Sequence, residues 1–217
     1  WLAYFLLNLT RKLVFLVTNM FDHACGFSVG NVSQTDLRSL KTLSEEVKAV
    51  FPKRSSTPAH VWQMGENENI QNLSRPSRNV FLAIANLFVK APHLLFQKVW
   101  VVESSANEAD TTVLPFLPHF DRKRTTKIMF YLTDVELKHG PKFIAKNIIP
   151  SFFEAKRKVA TARGDNLVSD EYLEFLALTG KAGHFHIFDT NIPHYAGRPF
   201  DGGMRQIIRF DFIHKDQ

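Results

Sequence analysis

The sequence predicts an α+β domain built on an antiparallel β-sandwich or jelly roll. Three observations lead there. Before about residue 95 the apolar positions recur at helical spacing. From Phe96 to Ile213 they alternate or run continuously in short β-branched and aromatic stretches. A helical insert, 151–178, interrupts those stretches. Helices first and short strands afterwards fit a layered α+β arrangement. The chain has 217 residues, 45% hydrophobic, with 20 Phe, which is material for one sizeable core. One domain over 1–217 is therefore expected, mainly helical over 1–95 and strand-built over 96–213.

The elements follow in order. The opening, Trp1 to Leu7, and Leu13 to Val17 are apolar, with Asn8, Thr10, Arg11 and Lys12 between them. No run reaches the ~18–20 residues of a membrane span, so a buried N-terminal helix is expected. Residues 22–34 are rich in Gly, Ser and Asn and read as a loop. Residues 36–51 read as a helix with Leu37, Leu40, Val47 and Val50 on one side, capped by Thr35 or Asp36 and stopped by Pro52. Residues 52–60 are turn-like and 66–78 read as an exposed polar loop. A second helix is expected over 79–90, with Val80, Ile84, Leu87 and Phe88 inward and Pro92 beyond its end.

Strands are expected at 96–103, 113–121, 126–133, 142–145, 184–189 and 204–213, with a polar loop at 104–112 and a turn at 134–141 containing Gly140. In the insert, Ser151 and Glu154 have the spacing of a capping box before a helix at 152–162. A second short helix is expected at 170–178, with Gly180 at its C-terminal cap.

The formal net charge is +6, spread along the chain, with no accompanying nucleic-acid reading motif. A small-molecule substrate is expected rather than nucleic acid. Cys25 is the single cysteine and cannot form an internal disulfide, which fits a reducing, cytoplasmic setting.

The chemistry centres on His119-Phe120-Asp121. On a strand, positions i and i+2 share a face, so this imidazole and carboxylate can converge on one ion. A second imidazole from another strand, His194, would complete a 2-His-1-carboxylate set with open positions, the usual cradle of non-heme Fe(II). A second H-x-D triplet, His214-Lys215-Asp216, has no histidine after it and reads as accidental.

Two longer segments extend this pattern: LPHFDRKRTTKIMFYLTDVELKHGPKFIAK (117–146) and GHFHIFDTNIPHYAGRPFDGGMRQIIRFDF (183–212). Together they resemble the phytanoyl-CoA dioxygenase family of Fe(II)- and 2-oxoglutarate-dependent oxygenases. The resemblance implies a double-stranded β-helix (jelly-roll, cupin-like) core with N-terminal helices and a helical insert. It implies that His119, Asp121 and His194 hold Fe(II) and that Arg205 binds the distal carboxylate of 2-oxoglutarate. It further implies a hydroxylase that uses O2 and releases succinate and CO2. Relatives that halogenate lack the ligand carboxylate, and Asp121 is present here.

Softer candidates surround these. Arg209 and Arg198 rival Arg205. Gln97 stands where the family often places a Gln that reaches the co-substrate. Lys127, Met129 and Tyr131 share one strand face, expected to be inward. Tyr131 is either a donor to a carboxylate or a core tyrosine with a satisfied hydroxyl. Many relatives carry a hydroxyl two residues after the distal histidine; this chain has Ala196. His184, His186 and His194 offer a rival cupin-type metal site without 2-oxoglutarate. A catalytically silent binding protein of the same fold is the remaining alternative. Arg122, Lys123 and Arg124 suggest a rim for an anionic substrate, and Lys156-Arg157-Lys158 a solvated face.

Overall fold

Two antiparallel sheets face one another in this computed structural model, which describes residues 26–54, 59–65, 70–86, 94–106, 115–146, 148, 150–169, 171 and 173–215. The N-terminal helix expected from the first residues lies outside them. The strands are β1 (Phe27–Asn31), β2 (Lys53–Arg54), β3 (His60–Gly65), β4 (Leu94–Ser105), β5 (Thr125–Tyr131), β6 (Lys142–Ala145), β7 (Phe175–Leu178), β8 (His184–Asp189), β9 (His194–Ala196) and β10 (Met204–His214). The helices are α1 (Gln34–Val50), α2 (Arg75–Ala85) and α3 (Pro150–Ala162). The larger sheet runs β1-β8-β5-β10-β4-β3-β2 and the smaller β7-β6-β9. This is the jelly-roll core that the sequence predicts.

Period-2 alternation splits the central strands between two environments. On the outer face, Ile128 and Phe130 of β5, Ile208, Phe210 and Phe212 of β10 and Val99 and Val101 of β4 pack with Leu40, Leu43 and Val47 of α1 and Phe81 and Ile84 of α2. On the inner face, Met129, Tyr131, Phe188 and Ile207 meet Ile144, Ala145 and Leu178 of the small sheet. The inner face of β10 also presents Arg205, Arg209 and Asp211, and that of β5 presents Lys127. Every residue of β5 is buried, so those charges sit inside the protein.

Several boundaries differ from expectation. Ser33, not Thr35 or Asp36, caps α1; its hydroxyl accepts from the Asp36 N–H at 3.1 Å, and the Asp36 carboxylate accepts the Ser33 N–H at 3.2 Å. Val50 is 38% exposed and Leu43 fully buried, because a stripe of Leu37, Leu40, Leu43 and Val47 holds the core side. The loop expected at 22–34 contains β1, an edge strand paired with β8. The turn-like 52–60 holds β2 and the start of β3. α2 begins four residues before the expected start at 79, since Ser74 caps it and Pro76 suits its first turn. Leu87 and Phe88 lie outside the described residues.

The expected helix at 170–178 is replaced by β7, which pairs with β6. Gly180 is not a helix cap; it exchanges backbone hydrogen bonds with Val135. α3 starts at Pro150, which puts Ser151 inside the helix rather than at its cap. β9 had no counterpart in the sequence reading. Its neighbour Gly197 lies so close to Pro141 that a Cβ would fall 2.7 Å from the Pro141 carbonyl oxygen. Gly140 adopts φ 69°, and a Cβ there would meet the Gly197 carbonyl oxygen at 2.3 Å. These two glycines allow β6 and β9 to start in register. Among the described residues no helix is long and apolar enough to cross a membrane.

Leu43→Ala should cost about 2–5 kcal/mol in urea unfolding, whereas Val50→Ala should stay within about 0.5 kcal/mol. Equal losses would return Val50 to the core face.

Candidate functional site

His119 makes a single-residue antiparallel bridge to His194 instead of lying on a regular strand. Its N–H donates to the His194 carbonyl at 3.1 Å, and its carbonyl accepts the His194 N–H at 3.0 Å. A reciprocal pair of this kind sets two residues directly opposite, with their side chains on one face. The imidazole centroids are accordingly 4.6 Å apart. On its other side, His119 pairs with Leu167, and the Asn166 side chain donates to the Phe120 carbonyl at 2.8 Å. Two residues on, Asp121 returns to the same side. Its Oδ1 lies 3.8 Å from His119 Nε2 and 3.5 Å from His194 Nε2. One potential ligand atom from each of the three residues falls within 4.8 Å of the others.

Hydrogen bonds fix the tautomers. His119 Nδ1 is 2.6 Å from the Leu117 carbonyl oxygen and His194 Nδ1 is 2.7 Å from that of Ile192. A carbonyl only accepts, so each Nδ1 carries the hydrogen and each Nε2 keeps its lone pair. His194 Nε2 is buried without a hydrogen-bond partner. Burial and then the Lys142 ammonium push His119 down to about 4, against the opposing pull of the Leu117 carbonyl and the Asp121 carboxylate. Burial and Lys142 likewise hold His194 well below its ordinary value. Burial raises Asp121, but the Lys127 ammonium outweighs it and holds the carboxyl well below the usual range. The Asp121 side chain is 24% exposed, and its Oδ2 accepts from Lys127 Nζ at 2.5 Å. Two neutral imidazoles and one carboxylate, with Nδ1 of each ring already engaged, fit a divalent non-heme iron.

Beside this cluster is a cavity of about 230 Å³ lined by Trp100, Met129, Lys142, Ala196, Arg205 and Ile207 among others. Its volume is below the ~300 Å³ at which drug-sized pockets begin, so it suits a small molecule. The three candidate arginines separate here. Arg198 is exposed. Arg209 is bound to Asp211 of its own strand, Nε to Oδ1 at 2.7 Å and a terminal nitrogen to Oδ2 at 2.9 Å, and lies over the Trp100 ring. Arg205 is 4% exposed, has no ion pair among the described residues, and its Nε has no partner. Burial lowers its affinity for the proton, with Tyr131 opposing.

Other expectations are resolved by register. Lys127, Met129 and Tyr131 face inward as expected. The Tyr131 hydroxyl donates to the Leu178 carbonyl at 2.7 Å and accepts the Lys142 N–H at 3.1 Å, so it is a structural core tyrosine. Gln97 is the extra residue where the β4–β10 register shifts, and it does not line the cavity. His184 and His186 do not join His194: among the described residues the only three-residue ligand group is the one around Asp121, and Phe188 packs between His186, tilted to it, and His194, edge-on. Arg124 is paired to Asp189 at 2.6 Å and is not a free rim cation. Arg157 is buried against Glu154 and the Arg122 carbonyl, so only Lys156 and Lys158 fit the solvated-face reading. Arg122, Lys123, Arg157, Lys158 and Lys215 line an open groove of about 740 Å³. Sequence reasoning missed Lys142 and the engagement of Lys127 with Asp121, because neither is visible without strand register.

A scan of known families finds no match to this sequence, and no curated protein matches it. Solved structures share its fold. A prolyl hydroxylase of Trichoplax adhaerens, in complex with a hypoxia inducible factor peptide fragment, has TM-score 0.59 at 13% identity, over 96% of this chain and 92% of that one. The alpha-ketoglutarate-dependent carbocyclase SnoK of nogalamycin biosynthesis has TM-score 0.58 at 14% identity, over 95% and 84%. HygX of Streptomyces hygroscopicus, with nickel and 2-oxoglutarate bound, has TM-score 0.56 at 12% identity, over 93% and 87%. The fold expected from the family resemblance is thus the fold that these solved structures share.

His186 is fully buried, and neither ring nitrogen has a hydrogen-bond partner. Burial first, then the positive neighbours, hold it well below 6.5, so it is neutral when folded. Its contribution to stability is complete above the unfolded value of about 6.5 and is lost as pH falls below it. His186→Phe should therefore flatten the loss of thermal stability of the ligand-free protein between pH 7 and 5. An unchanged acid slope would mean that His186 is not the buried neutral group described.

Proposed function

We propose that the protein is an Fe(II)- and 2-oxoglutarate-dependent oxygenase that hydroxylates a small organic substrate. The observation that carries this reading is the convergence of two Nε2 lone pairs and the Asp121 carboxylate beside a cavity whose buried guanidinium, Arg205, has no carboxylate partner among the described residues. In the shared fold, HygX is described with 2-oxoglutarate bound, and SnoN with Fe3+ and alpha ketoglutarate.

His119, Asp121 and His194 would hold the iron. Bound Fe(II) supplies the redox chemistry that couples O2 and the oxidative decarboxylation of 2-oxoglutarate, giving succinate and CO2, to oxidation of a substrate C–H bond. The chain's own residues do the rest. The Leu117 and Ile192 carbonyls hold both rings with Nε2 toward the centre. Lys127 occupies Asp121 Oδ2 and leaves Oδ1 facing the histidines. Arg205 presents a planar, always charged fork suited to a bidentate carboxylate. The apolar walls from Met129 and Ile207 exclude water from the reacting end.

Hydroxylation is the outcome that Asp121 supports, because the carboxylate fills the position a halide would need. The names of the neighbours include an epimerase and a carbocyclase, so the scaffold itself accommodates several outcomes. The groove lined by Arg122, Lys123, Lys158 and Lys215 starts one residue after Asp121 and favours a substrate with an anionic part.

Anaerobic addition of Fe(II) and 2-oxoglutarate should produce a weak visible charge-transfer band that needs both. His119→Ala and Asp121→Ala should each abolish the band and succinate release; retained turnover in both would reject the ligand assignment. Arg205→Ala should weaken 2-oxoglutarate by about 30-fold or more, the scale of losing one partner of a buried charged pair. A metabolite panel scored by substrate-stimulated succinate release then identifies the substrate.

A further inference from the structure

The inner face of the two sheets holds a second cation that forms no ion pair with a carboxylate among the described residues. Lys142 is 6% exposed and lines the same cavity as Arg205. Its ammonium lies over the Phe188 ring, 4.9 Å from the centroid, and makes no ion pair among the described residues. The two neighbouring inner cations are engaged: Lys127 by Asp121 and Arg209 by Asp211. Lys142 and Arg205 remain, both buried and both facing one small space. Burying a charge without a partner is expensive, and burial with the nearby cations holds Lys142 well below its ordinary value, so a carboxylate placed between Lys142 and Arg205 would relieve both.

Register gives the position a specific meaning. Lys142 on β6 is directly opposite Ala196 on β9, and both line the cavity. Ala196 stands where the family resemblance leads one to expect a hydroxyl that assists 2-oxoglutarate. An alanine has no donor to offer, and the cross-strand neighbour that shares its face carries an ammonium with three.

We propose that Lys142 is a second anchor for the distal carboxylate of the 2-oxo diacid, supplying across the β6–β9 ladder the donor that Ala196 lacks. The assignment rests on the reading of Arg205 given above. It makes the cavity a two-cation seat, selective for a 2-oxo acid with a second carboxylate over one without. Gly140 and Gly197 set the starting register of β6 against β9 and so bring Lys142 and Ala196 face to face.

The test uses the full chain loaded anaerobically with Fe(II), with 2-oxoglutarate and 2-oxobutyrate as probes in isothermal titration calorimetry. The second probe keeps the metal-binding end and lacks the distal carboxylate. Lys142→Met should raise the Kd for 2-oxoglutarate about tenfold or more, the scale of one hydrogen bond to a charged group. The Kd for 2-oxobutyrate and the affinity for Fe(II) should move less than about threefold. Adding Ala196→Ser to Lys142→Met should recover part of the lost affinity, which a merely structural lysine would not allow. Lys142→Gln provides the same comparison if the methionine variant folds poorly. Unchanged 2-oxoglutarate affinity in the folded variants, or equal weakening of both probes, would overturn the role of Lys142 while leaving Arg205 in place. Failure of the wild-type protein to bind 2-oxoglutarate with Fe(II) would instead remove the diacid reading and this assignment with it.

Discussion

The site depends on one pair of backbone hydrogen bonds, exchanged between His119 and His194. Those residues are 75 positions apart in the chain, and nothing local brings them together. The reciprocal bridge does so, and it also decides orientation, since residues directly opposite in an antiparallel pair project to the same side. Asn166 holds the far side of the segment through the Phe120 carbonyl. Each ring is then turned by a carbonyl two residues before it, Leu117 for His119 and Ile192 for His194. The backbone therefore fixes where the imidazoles sit, which nitrogen faces inward, and which tautomer each adopts, before any ion is involved.

The second constraint is charge. A buried sheet face tolerates ionised side chains only when they are paired or held for a ligand. Lys127 with Asp121 and Arg209 with Asp211 satisfy the first condition. Among the described residues Lys142 and Arg205 do not, and the Nε2 of His194 is a buried acceptor with no donor. The unsatisfied groups are complementary in sign: lone pairs and a carboxylate at one end, cations at the other. A divalent metal answers the first set and a diacid the second. The outer face pays for this arrangement, with Phe130, Phe210, Phe212 and the leucines of α1 forming a core that carries no charge.

This division explains what was legible in the sequence. β5, β8 and β10 are legible because their β-branched and aromatic residues alternate or run together over short stretches. β1 reads as loop because it is an edge strand, and Ser28, Gly30 and Asn31 carry a turn-like composition. Pairing to β8 holds it, and pairing is non-local. β7 is a four-residue run, Phe175–Leu178, whose periodicity does not separate strand from helix. At the site, the types and order of His119, Asp121, His194 and Arg205 were visible because the chemistry restricts them. The expected strand at 113–121 was not the means: His119 is an isolated bridge, and its partner strand β9 is only three residues long. Lys142 and Lys127 were invisible as partners because cross-strand register cannot be read from spacing along one strand.

The inner face also limits where substrate selection can reside. In the proposed reading the triad, Arg205 and Lys142 are committed to the metal and the diacid, and Tyr131 is saturated by the Leu178 carbonyl and the Lys142 N–H. Little of the cavity's polar surface is left to distinguish one substrate from another. The segment after Asp121 has no such commitment. Arg122 and Lys123 leave the site directly from the ligand and face α3 across a groove open to solvent. Arg157 anchors that helix to the segment by donating to the Arg122 carbonyl at 3.1 Å. α3 also packs Phe153 against Phe120, the residue between His119 and Asp121, so the groove and that segment are held together. Structures named as an epimerase, a carbocyclase and a prolyl hydroxylase share the fold at 12–14% identity. With the inner face fixed by charge pairing, the basic groove between the segment after Asp121 and α3 is the neighbouring surface left free to differ.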